Sequence, residues 1–155
     1  MIRINKLTDY AVVVLAQMAG EPDKVITGPR LAGDTNLPAP TVAKLLKSLA
    51  RGGILASHRG AGGGYVLGRE ASEITVAEII SALEGPISLT DCVDGTEGDC
   101  EVERLCPMRG NWDKVNAAIR KALSEVTLAE MVAPPLTFGP PPGEASFGAP
   151  QGNRA

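Results

Sequence analysis

Apolar positions recur along most of this chain at steps of three and four, with one glycine-rich interruption. Tyr10, Val13, Val14 and Met18 carry the period of a helix over residues 8–20, and Thr8 or Asp9 stands where a cap is needed. Pro22 and Asp23 end it. Val25–Ile26 reads as a short strand or turn, after which Thr27 can cap a helix over about 29–35. Asn36-Leu37-Pro38 then predicts a tight turn. The next helix, 40–51, starts with Pro40, whose missing N–H costs nothing in a first turn. Val42, Leu45, Leu46 and Leu49 form its inward stripe, while Thr41, Lys44, Lys47, Ser48 and Arg51 face out. Gly52-Gly53 stops it.

Two short strands follow, Ile54–Arg59 and Tyr65–Leu67, joined through Gly60-Ala61-Gly62-Gly63-Gly64. A hairpin placed directly after a helix-turn-helix is a wing. The glycines do not read as a phosphate loop, because no Gly-Lys-Ser/Thr and no helix start follows them. Thr75-x-x-Glu78 is a capping box opening a helix to about Glu84, with Val76, Ile79, Ile80 and Leu83 inward. After a loop over about 88–107 comes a long helix from Met108 to Glu125. Trp112, Val115, Ile119, Leu123 and Val126 line it. Thr127-x-x-Glu130 caps a final turn through Val132. The pattern predicts a mainly α fold with a small β-wing: a winged helix-turn-helix domain plus a long dimerisation helix. Its divisions are 1–85, 86–107, 108–132, and a disordered Pro/Gly-rich tail at 133–155. The long helix is far in sequence from the head, so pairing with a second copy is the expected use of its apolar stripe.

Composition changes this picture little. Aromatics are 3% of the 155 residues, so the core must be built from aliphatic side chains, which suits small packed helices. No apolar run reaches the roughly 18 residues of a membrane span, and no signal peptide is read at the start; the expected location is cytoplasmic. Charge changes it more. The net charge is −3, yet from Thr35 to Arg69 there is no Asp or Glu, while Lys44, Lys47, Arg51, Arg59 and Arg69 are all basic. That segregation supplies the local positive surface a phosphate backbone needs, whatever the sign of the whole chain.

The candidate chemistry lies in the loop. Cys92-x7-Cys100-x5-Cys106 holds all three cysteines, an odd number that speaks against a disulfide framework. Zinc sites favour pairs two to four residues apart, whereas iron–sulfur clusters accept wider spacing and a substituted fourth ligand. Asp91, Asp94, Glu97, Asp99, Glu101 and Glu103 put six acids and no base between residues 91 and 103. Ionising thiols among carboxylates is unfavourable unless a cation enters, so a bound metal or cluster is expected to order the loop. A thiol-only redox sensor would want basic neighbours instead. An enzyme is not expected: no nucleophile–base pair or phosphate loop is present, and His58 is the one histidine, so no small-molecule substrate is anticipated.

Several stretches carry a resemblance. Arg59-Gly60-Ala61-Gly62-Gly63-Gly64-Tyr65-Val66-Leu67-Gly68 running into Ile74-Thr75-Val76-Ala77-Glu78-Ile79-Ile80 resembles the IscR/NsrR-type winged-helix regulators. So do Leu7-Thr8-Asp9-Tyr10-Ala11 and Val126-Thr127-Leu128-Ala129-Glu130-Met131. The resemblance covers about residues 2–132 and looks closest to regulators of the SUF iron–sulfur cluster assembly operon. It implies a homodimer on a double-stranded DNA operator. It also implies an iron–sulfur cluster, 2Fe–2S or 4Fe–4S, on Cys92, Cys100 and Cys106, with DNA contacts from Pro40, Thr41, Lys44 and Arg59. Lys47 and Arg51 are expected to add backbone contacts. The IscR subgroup has a histidine three residues past the third cysteine, where this chain has Arg109. The nitric-oxide-sensing subgroup uses an aspartate supplied by the partner subunit, and Asp9 occupies that position. Asp9 can equally be a helix cap. The Cys92–Cys100 gap is longer than in IscR, and Ala43 stands where that protein has a base-reading acid. A nitric-oxide or redox sensor of the same fold is one alternative, and an iron–sulfur carrier without DNA binding is another.

Overall fold

The computed structural model describes residues 3–89, 93 and 111–133. The expected cysteine ligands Cys92, Cys100 and Cys106, Arg109, the start of the long helix at 108–110, and the tail beyond Ala133 lie outside them.

α1 spans Lys6–Ala19, α2 Gly28–Thr35 and α3 Ala39–Arg51. β1 is Leu55–His58 and β2 Gly64–Leu67; a short 3-10 turn at Ala71–Glu73 leads to α4, Val76–Glu84. α5 is Asn111–Glu125 and α6 Leu128–Val132. This is the mainly helical fold with a two-stranded wing that the pattern predicts. No helix among the described residues is long and apolar enough to cross a membrane.

One expectation fails at the first helix. Its cap is neither Thr8 nor Asp9 but Asn5, whose side chain accepts from the Leu7 N–H at 3.0 Å, so the helix begins earlier. Thr8 is buried instead, and its hydroxyl donates to the Glu84 carboxylate at the end of α4. Val13, expected inward, is 42% exposed; Ala11, Val14, Leu15 and Met18 supply the buried face.

α3 follows its stripe closely. Val42, Leu45, Leu46 and Leu49 are all buried in a core shared with α1, α2, the wing strands and α4. Burying each leucine contributes about 1.5–3 kcal/mol, set against the chain entropy lost on folding. The wing strands pair antiparallel, with Leu55 opposite Leu67 and His58 opposite Gly64. Ile26 adds a separate rung to β2: its N–H donates to Tyr65 O at 2.8 Å, and its carbonyl accepts from the Tyr65 N–H at 2.9 Å. A side chain at Gly64 would meet the Ile26 carbonyl at 2.6 Å, so that rung requires glycine. At the turn, Gly60 has φ 110, a backbone state that side chains disfavour.

The chain then returns on itself. Thr75 and Thr127 both form complete capping boxes, with Glu78 and Glu130, and they bridge each other as an antiparallel pair. The Val76 N–H donates to Val126 O at 2.9 Å and the Leu128 N–H to Ile74 O at 2.7 Å. Leu128 is fully buried in the core of the head. α6 therefore belongs packed on the head, and α5 is held between two returns to the same body.

Candidate nucleic-acid interface and ligand positions

The candidate reading surface is built by α3 and the turn of the wing. Because the apolar stripe of α3 is fully used inside, its polar face is free to point outward. Lys44, Lys47 and Arg51 are exposed, as is Pro40; Thr41 is half-buried near the start of the helix. Arg59 follows β1 into the glycine turn and is exposed. Among the described residues none of Lys44, Lys47, Arg51 or Arg59 pairs with a carboxylate. Among the described residues they are left without a counter-ion, the state that phosphate binding favours.

Other cations differ. Arg30 on α2 is tied to Glu21 and reaches Asp34 at 3.4 Å. Arg69, the last base of the acid-free window, bonds Glu78 at 2.9 Å and the Glu73 carbonyl at 3.3 Å. It is a structural strap behind the wing. Glu78 is held below the ordinary glutamate range, first by the Thr75 backbone N–H and then by the Arg69 guanidinium. The window thus contributes four free cations from α3 and the wing turn.

Asp9 sits in the first turn of α1 with its side chain exposed. Its N–H donates to Asn5 O at 3.1 Å, and Asn5 does the capping, so the Asp9 carboxylate has no structural duty among the described residues. It opens on a surface pocket of about 510 Å³ shared with Arg3, Ile4, Lys6, Thr8, Val12, Val76 and Met131. The three cysteines lie outside the described residues, so their distance to Asp9 is not part of the geometry. As a donor set, three thiolates and one carboxylate suit an iron–sulfur cluster with a substituted fourth ligand.

α5 carries the feature that the sequence pattern misses. Trp112 and Val115 are 43% and 44% exposed, whereas the buried residue is Asn116. Its side-chain amide bonds the backbone at both Ile87 and Leu89. A signal was available: Asn116 is four residues after Trp112 and three before Ile119, inside the apolar stripe.

Comparison with known proteins agrees with this architecture. Residues 4–134 match the Rrf2 family, described as iron-dependent transcriptional regulators. The HTH-type transcriptional regulator IscR of Klebsiella pneumoniae is 30% identical over 135 residues, spanning 84% of this chain and 80% of that protein. CymR, the global cysteine regulator of B. subtilis, is similar in structure, with TM-score 0.64 and 29% identity over 85% of this chain and 97% of that one. T. potens IscR is similar at TM-score 0.61 and 26% identity, over 84% of this chain and 86% of that one. These relatives are transcription regulators and not enzymes, which sets aside the carrier reading. A reading head with an unpaired basic face, a wing and a family match across nearly all of the described chain lead to one assignment: this chain belongs to the Rrf2 family of iron-dependent transcriptional regulators.

Proposed function

We propose that the protein is a cytoplasmic, homodimeric repressor-type regulator that senses iron–sulfur cluster status through Cys92, Cys100, Cys106 and the partner's Asp9, and controls cluster-assembly genes. The observation that carries the reading is the exposed Asp9 carboxylate, which Asn5 relieves of capping and which has no partner among the described residues, in a chain whose three thiols fall within fifteen residues. Arg109, in place of the histidine of the IscR subgroup, favours the aspartate ligand set that the resemblance implies for the nitric-oxide-sensing subgroup. A bound cluster supplies a soft-metal site that oxidants, nitric oxide or iron scarcity can dismantle.

The chain's own residues do the rest. The head, residues 1–85, presents α3 to a major groove, and the 86–107 segment supplies the thiols. The 108–132 segment joins two copies along Trp112, Val115 and Val126, which are exposed in one chain. Two heads on a two-fold axis reach successive grooves about 34 Å apart. Lys44, Lys47 and Arg51 set the helix on the phosphates, with Pro40 and Thr41 at its leading end, and Arg59 enters the adjoining minor groove from the wing. The acidic stretch from Asp91 to Glu103 repels itself and the DNA unless the thiolates are engaged by metal.

Anaerobic reconstitution of the full chain with iron and sulfide should give a coloured protein, and Cys106→Ala should abolish the colour. Asp9→Ala should alter the spectrum and shorten the chromophore's lifetime. Loaded and stripped protein should then differ in affinity for a candidate operator. Equal affinity of the two forms for every duplex tried would overturn the sensing role, and a protein that stays colourless would overturn the cofactor.

A further inference from the structure

β1 outgrows the core that holds it. Leu55 is buried, whereas Ala56, Ser57 and His58 are all exposed, so the usual alternation of covered and open positions stops after one residue. His58 ends the strand and pairs with Gly64. A side chain at Gly64 would meet the Ile26 carbonyl at 2.6 Å, and one at Gly63 would meet the His58 carbonyl at 2.7 Å. Close backbone approach fixes both glycines, and as a result no side chain stands across from the imidazole. By strand alternation, the face that His58 shares carries Ala56 and its partner Val66. The imidazole is thus a polar ring at the rim of an otherwise apolar face.

That ring has no hydrogen-bond or ion-pair partner among the described residues. Even the neutral imidazole carries one N–H donor, whichever tautomer holds it. An exposed edge strand needs polar side chains to discourage pairing with another chain, but Ser57 already supplies one. His58 also lies beside Arg59, inside the 35–69 window that contains no acid. The acceptor for its donor therefore has to come from outside, and the unpaired cations of α3 and the wing turn favour an anionic one.

We infer that His58 donates to a phosphate oxygen of the DNA backbone and so seats the wing beside the groove that Arg59 enters. The inference rests on the DNA-reading role proposed for α3 and the wing. It is tested with the full chain on the duplex that wild type selects from a random pool, alongside an unrelated duplex of equal length. His58→Ala should keep the wild-type Tm and weaken binding to both duplexes about fivefold, roughly the worth of one net hydrogen bond. Each phosphate of the selected duplex is then replaced in turn by a neutral methylphosphonate. At one position His58→Ala should cost nothing further, because the partner is already gone. Should the Tm fall, His58→Phe, which keeps a ring but no donor, takes its place in the same scan. A loss confined to the selected duplex would assign His58 to a base and overturn the phosphate contact, as would losses that add at every phosphate. If Arg59→Ala weakens binding while His58→Ala leaves it unchanged, this inference falls alone. A wild type that grips no duplex overturns the reading head together with it.

Discussion

α3 and α5 are helices of similar length with opposite economies. In α3 all four apolar residues of the stripe are buried within the chain, and the exposed face is basic. In α5 the aromatic and aliphatic residues Trp112 and Val115 are left outside, and the buried residue is an asparagine. The contrast teaches that amphipathicity alone does not say what a helix packs against. α3 completes the core and turns its basic side outward; α5 leaves Trp112 and Val115 exposed.

The strongest way to break this comparison is in the core. Leu45→Ala should destabilise folding by about 2–5 kcal/mol, read from denaturant midpoints. Trp112→Ala should leave the helical content intact and weaken self-association by about 2 kcal/mol, a shift of roughly 30-fold measured by sedimentation. Should Trp112→Ala instead unfold the protomer and spare association, α5 is an internal helix and the contrast fails. Next comes the division between free and committed cations. Arg59→Ala should cost about 1–3 kcal/mol of specific duplex binding. Arg69→Ala, whose guanidinium already serves Glu78, should cost less; equal losses would erase the distinction drawn between them.

The smallest effect concerns acid. Glu78 has its folded carboxyl held below the ordinary value of 4.5, so its stabilisation is present above that value and fades as pH falls through the depressed one. Urea midpoints of wild type and Glu78→Gln should therefore differ near neutrality and converge in acid. A gap that stays constant with pH would mean that the carboxylate charge is not what the capping box uses.

Local signals in the sequence are legible because their partners are near in the chain. The α3 stripe steps by at most three residues, the wing glycines and both Thr-x-x-Glu boxes lie within four positions, and each appears where expected. Val13 aside, the features the pattern hides depend on distant partners. Thr8 looks like a cap until Glu84, 76 residues away, takes its hydroxyl and leaves the cap to Asn5. Asn116 looks like a polar interruption until the backbone 27 and 29 residues earlier is brought to it. Of the site, the exposure of Lys44, Lys47, Arg51 and Arg59 followed from the helix period and the turn. The free state of Asp9 did not, because it depends on which neighbour wins the cap.

The paired boxes at Thr75 and Thr127 have a mechanical consequence. Because the bridge between them clamps the far end of α5 to the start of α4, the long helix cannot swivel about a loose joint there. A twist imposed on α5 is delivered through that clamp to the body that carries α3, as through one stiff frame.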